Sequence, residues 1–152
     1  MLRKRQAAFT LVELMIIVAI IADVIVIAMP SFLRSRNYAQ NARFTNDLRA
    51  ATTAFEMYAA ENNTYPASTD PGIVPSGMPV YLQGFDWRGT NSIGGKWAWD
   101  FKSNGVTAGV AVVLSGSDDL RMTDIDTQTD NGILTTGGFR KITSVRYTHI
   151  LE

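Results

Sequence analysis

Two carboxylates stand inside an apolar run near the start of the chain. From Phe9 to Met29 the sequence reads FTLVELMIIVAIIADVIVIAM, in which only Thr10, Glu13 and Asp23 are polar. A carboxylate within a membrane-spanning helix costs about 2.5–3.5 kcal/mol on insertion scales, so such a residue is kept for what it does. Glu13 sits early in the run and has no use in a plain anchor. Asp23 sits nearer the far end, where reaching water or headgroups is favoured over pairing with a neighbouring chain.

A second acidic group lies near the C-terminus. Asp118 and Asp119 precede Asp124, Asp126 and Asp130, followed by Asn131 and Gly132. Hard oxygen ligands at alternating positions suit calcium, which makes Asp124, Asp126 and Asp130 candidate ligands. The EF-hand pattern fails, because Thr129 and Thr135 occupy the sixth and twelfth positions of a loop starting at Asp124. A solvated acidic loop is the favoured reading and calcium the alternative.

Other chemistry is poorly supplied. The chain has no cysteine, which excludes a disulfide framework, a thiol nucleophile and thiolate metal sites. Its single histidine, His149, cannot build a multi-histidine centre and reads as a packed strand residue. No nucleophile elbow, phosphate loop or HExxH occurs, so the sequence predicts a protein that is not an enzyme. Trp87, Trp97 and Trp99 suit a core better than a stacking platform, given the period-two spacing of the last two. The 152 residues carry 14 basic and 14 acidic groups. That neutral balance disfavours a nucleic-acid partner, although Arg140, Lys141 and Arg146 form a local basic patch.

These residues must be positioned by elements of two kinds. All 12 glycines lie from Gly72 onward, and before it only Pro30, Pro66 and Pro71 interrupt. Glycine and proline punctuate regular structure, so a helical front precedes a loop-and-strand back. The apolar run spans roughly 30 Å as a helix, enough to cross a bilayer core. Arg3, Lys4 and Arg5 precede it more tightly than Arg34 and Arg36 follow it, which leaves the N-terminus in the cytoplasm and exports the rest. Pro30 lacks an amide proton and should kink or locally melt the helix. Beyond it, Phe44, Leu48, Ala51, Phe55 and Tyr58 form a one-sided helical stripe that ends near Asn62-Asn63.

A proline- and glycine-rich loop follows, with Tyr81, Leu82, Phe85 and Trp87 as anchors. Residues 96–102 alternate as a half-buried strand, and Asn104-Gly105 signals a hairpin returning through residues 106–114. Residues 145–151 form a last strand, with 139–142 as a further one. The parts are thus 1–8, 9–30, 31–62, 63–96 and 97–152: a basic leader, a membrane helix, an amphipathic helix, a loop and an antiparallel sheet region. Phe44, Leu48, Ala51 and Phe55 should bury against Trp97, Trp99, Val110 or Val112.

The leader ending in Ala7-Ala8, then Phe9-Thr10-Leu11-Val12-Glu13-Leu14, resembles the class III signal of type IV pilins and type II secretion pseudopilins. Pro30 falls where that family often has proline, whereas Ala8 stands where it usually has glycine. The resemblance implies an α+β pilin-like fold, with a long N-terminal helix on a small antiparallel sheet. It implies cleavage by prepilin peptidase between Ala8 and Phe9, and N-methylation of the new amine. It also implies assembly with other pilin or pseudopilin subunits, first at the inner membrane and then in a periplasmic or extracellular filament. Cleavage removes Arg3, Lys4 and Arg5, leaving 11 of the 14 basic residues against 14 acidic. It also creates a largely cationic α-amine one helical turn from Glu13. Major pseudopilins hold calcium in a C-terminal loop, which lends the acidic segment some family context. Three other readings stay open. One is a minor pilin or adhesin binding DNA or a surface, one a single-span anchored exported protein, and one a conventional signal peptide cut before Met29.

Overall fold

The computed structural model describes residues 10–152. A first helix, α1 (Leu11–Asn62), is followed by a short 3-10 turn at Met78–Val80 and a hairpin of β1 (Lys96–Ser103) and β2 (Val106–Val113). Then come α2 (Asp119–Thr129), β3 (Phe139–Lys141) and β4 (Arg146–Ile150). The strands form one antiparallel sheet in the order β1-β2-β4-β3. A long apolar helix and a small four-stranded sheet make this an α+β pilin fold. The chain divides into two compact units, one ending at Tyr38 and the other covering Ala39–Glu152.

In the first unit every described residue, from Thr10 to Tyr38, is exposed. The apolar side chains from Leu11 to Leu33 therefore find no cover within it. Pro30 lies inside α1, which is helical on both sides of it.

The second unit is built on the stripe read from sequence. Phe44, Leu48, Ala51 and Phe55 are all buried. The Phe44 ring stacks on Trp97 at 5.1 Å between centroids, and Phe55 stacks on Trp99 at 3.8 Å. Alternation along β1 sends both indoles to the helix side of the sheet. Registry across the sheet adds their neighbours: Trp97 opposes Val112 and Tyr147 follows, while Trp99 opposes Val110, then His149 and Phe139. Burying side chains of this size contributes roughly 1.5–3 kcal/mol each, which makes this face the main source of the unit's stability.

Asn104 and Gly105 turn the hairpin with φ of 53° and 75°. Two positive values in succession match the twist of the strands they join, which is why Asn-Gly favours this turn. The long loop lies along the edge of β1. Thr69 N donates to Trp99 O at 3.4 Å and Gly72 N to Trp97 O at 2.7 Å. An open sheet edge invites pairing with other chains, and these bonds close part of it. Trp87 anchors the loop from its middle, buried against Phe55, with its Nε1 donating to Ile73 O at 2.8 Å. Leu82 is also buried, while Tyr81 and Phe85 pack at the rim of the core.

One element departs from the sequence reading. The acidic segment is no loop, because Asp119–Thr129 is helical. Asp118 caps it, accepting from Arg121 N at 3.3 Å, and Met122 and Ile125 seat it in the core. A side-chain cap and two buried apolar residues offset the weak helix propensity of its Asp and Thr residues.

Candidate functional site

Ala8 and Phe9, the expected processing residues, lie outside the described residues. The described part of that segment begins with a reciprocal cap. Glu13 Oε2 accepts from Thr10 N at 2.9 Å and from Thr10 Oγ1 at 2.8 Å, while Glu13 N donates to Thr10 Oγ1 at 3.2 Å. Thr-x-x-Glu is the capping-box spacing, which satisfies amides left free at a helix start. It also folds the carboxylate back onto Thr10, at the start of the helix. The Thr10-x-x-Glu13 spacing is itself the sequence signal for this cap. Asp23 stands ten residues further on, exposed on α1.

The three aspartates proposed as calcium ligands do not converge. Asp124 and Asp126 both lie on α2, the first exposed and the second fully buried. Residues two apart on a helix are roughly 200° apart around its axis, so the two carboxylates face opposite ways. Asp130 caps the helix C-terminus, where its Oδ2 accepts from Gly138 N at 2.5 Å. Among the described residues, no group of three or more His, Cys, Asp or Glu side chains is arranged to hold a metal.

Asp126 is nonetheless unusual. Both its carboxylate oxygens are buried without a hydrogen-bond partner. Burial, and then the charge of Asp130, push its carboxyl above the ordinary 3.8, while the facing amides of Ile133, Asn131 and Gly132 oppose the shift.

The opposite end of α2 is well satisfied. Asp119 receives Lys141 Nζ at 2.6 Å and Tyr147 Oη at 2.5 Å. Those two donors hold its carboxyl down at about 2. Arg121 reaches α1, with Nε donating to Asn41 Oδ1 and Nη2 to Gln40 Oε1, both at 2.8 Å. On the far face of the sheet, Arg146 Nη1 donates to the buried Asp100 at 2.7 Å. Asn104 Nδ2 and Thr148 Oγ1 also donate to that carboxylate.

These contacts divide the basic patch expected at Arg140, Lys141 and Arg146. Lys141 and Arg146 are each matched by a carboxylate, and alternation along the strands places them on opposite faces of the sheet. His149 is a packed strand residue whose pKa is lowered chiefly by burial.

Residues 3–29 match the family described as the prokaryotic N-terminal methylation motif. Over 136 residues the chain is 25% identical to the type II secretion system core protein G of Klebsiella michiganensis, covering 83% of this chain and 94% of that protein. It is 30% identical over 73 residues to core protein G of Aeromonas hydrophila, covering 48% of this chain and 50% of the relative. The type IV wide pilus major component PilA4 of Thermus thermophilus is 38% identical over 75 residues, 49% of this chain and 56% of that protein. The chain thus spans about half the length of two of these relatives and nearly all of the third. No solved structure gives a significant match. The chain thus carries the prokaryotic N-terminal methylation motif at the start of its apolar helix and is similar to type II secretion core protein G and to a type IV pilus major component.

Proposed function

We propose that this chain is a structural subunit of a type II secretion pseudopilus or type IV pilus. Prepilin peptidase cuts it between Ala8 and Phe9, and it assembles through α1. The observation that carries this reading is the prepilin motif on an apolar helix with every described residue to Tyr38 exposed. Single-pass insertion puts the N-terminus in the cytoplasm and exports the domain behind it. Cleavage leaves residues 9–30 as the assembly helix, with 31–62 continuing toward the exported sheet and Pro30 as a bending point between them.

Glu13 supplies the polar contact. Helices gain little hydrophobic energy from associating in lipid, so polar pairing must set much of their register. The new α-amine at Phe9 and Glu13 are opposite charges one turn apart, suited to two helices offset along their axes. Glu13→Gln keeps the shape and removes the charge. Membrane insertion should persist while incorporation into sheared filaments is lost, most clearly when every copy carries the change. Glu13→Gln subunits that are cleaved and incorporated at wild-type levels would overturn the charge-pair mechanism.

Calcium is a second reading, and it rests on the buried, unpartnered carboxylate of Asp126. A cation shared by Asp126 and Asp130 would neutralise the two neighbouring charges. Asp124 takes no part, because it faces the other way.

A further inference from the structure

We infer that Asp23 of one copy pairs with Arg34 of the next, and that this contact sets the axial offset between neighbouring subunits. The inference rests on the subunit reading above and adds a specific contact to it. Asp23, Arg34 and Arg36 are all exposed on α1. Among the described residues, the ion pairs are Arg43–Asp47, Lys141–Asp119 and Arg146–Asp100, which leaves these three without a partner.

Helix geometry selects which cation can serve. Eleven residues make just over three full turns, so Asp23 and Arg34 lie within roughly 20° of each other and about 16 Å apart along the axis. Arg36 falls about 220° around the helix from Asp23, on the opposite side. One chain cannot close the Asp23–Arg34 pair, because partners on a single helix stand three or four residues apart. Two parallel copies offset by about 16 Å can close it, with Asp23 of the outward copy level with Arg34 of the deeper one.

The offset agrees in sense with the other pair. When the Phe9 amine meets Glu13 of a neighbour, the outward copy again supplies the group nearer its own N-terminus. Glu13 and Asp23 lie roughly 80° apart around α1, so the two contacts use different seams and do not compete. Asp23 also has good reason to be paired once other helices surround it, because an isolated carboxylate in apolar surroundings is strongly penalised. The planar fork of arginine fits a carboxylate through two hydrogen bonds, which a lone ammonium cannot do.

The test uses the full chain in its native membrane. Asp23→Arg and Arg34→Asp should each lose filament incorporation, and the two together should recover it. Replacing Arg36 with Asp should not rescue Asp23→Arg. The chain has no cysteine, so introduced thiols report only on themselves. Co-expressed copies bearing Asp23→Cys and Arg34→Cys should cross-link on oxidation, whereas Asp23→Cys with Arg36→Cys should not. The cross-link stands as evidence even if a charge-reversed copy fails to insert. Wild-type filaments combined with no recovery in a double exchange that inserts normally, or with equal cross-linking through position 36, would overturn the pairing and leave the subunit reading intact. Wild-type copies that form no multimer at all would overturn both.

Discussion

The indole of Trp99 lies flat against the ring of Phe55, with centroids 3.8 Å apart and planes 8° from parallel, while its Nε1 donates to Pro66 O at 2.8 Å. One side chain thereby joins α1, β1 and the start of the long loop. Truncating Phe55 or Trp99 to alanine should cost about 3–5 kcal/mol, the range for large aromatic residues in a core. Chemical denaturation of the detergent-solubilised chain, followed by tryptophan fluorescence, would measure it for Phe55→Ala. A loss below about 1 kcal/mol would mean that the core repacks around the gap.

Acid should weaken the tie between α2 and the sheet. The Asp119 carboxyl is held at about 2 against an ordinary 3.8, so its contribution is fully present above pH 3.8 and is lost as pH falls toward 2. Asp119→Asn should remove that part of the acid sensitivity. Melting temperature between pH 5 and 2 checks this, and parallel profiles for the variant and wild type would contradict it.

Asp126 has the opposite sign. Its carboxyl is raised in the folded state, so the contribution is present below pH 3.8 and is lost as pH rises through the raised value. With chelator present at neutral pH, Asp126→Asn should therefore melt higher than wild type. On the calcium reading, adding calcium raises the melting temperature of wild type and leaves Asp126→Asn unmoved. Equal melting of wild type with and without chelator would end that reading.

Thr10 and Glu13 should separate in their effects. Thr10→Ala removes a cap typically worth about 1 kcal/mol but leaves the carboxylate free to meet an amine. Filament incorporation should fall much less than for Glu13→Gln. Equal loss in both would mean that helix capping, rather than charge, governs assembly.

The packing of α1 was legible because Phe44, Leu48, Ala51 and Phe55 repeat at helical spacing, and all four are buried. The hairpin was legible because Asn104-Gly105 is a turn signal needing no distant contact. The helix at Asp119–Thr129 was not, since its Asp and Thr residues favour loops and its few apolar residues gain their force from tertiary burial. Met122 and Ile125, three apart behind the Asp118 cap, were the available signal. Missing that helix made Asp124 and Asp126 look like companions, when a helix turns them apart. The Asp119–Lys141 and Asp100–Arg146 pairs join residues 22 and 46 positions apart, which no local pattern reveals.

Mass spectrometry of the chain isolated from its native membrane tests most directly how the N-terminus is made. The mature chain should begin at N-methylated Phe9. A chain beginning at Met29 would point to a conventional signal peptide, and one retaining Met1 through Ala8 would point to a simple anchor; either result would contradict that start.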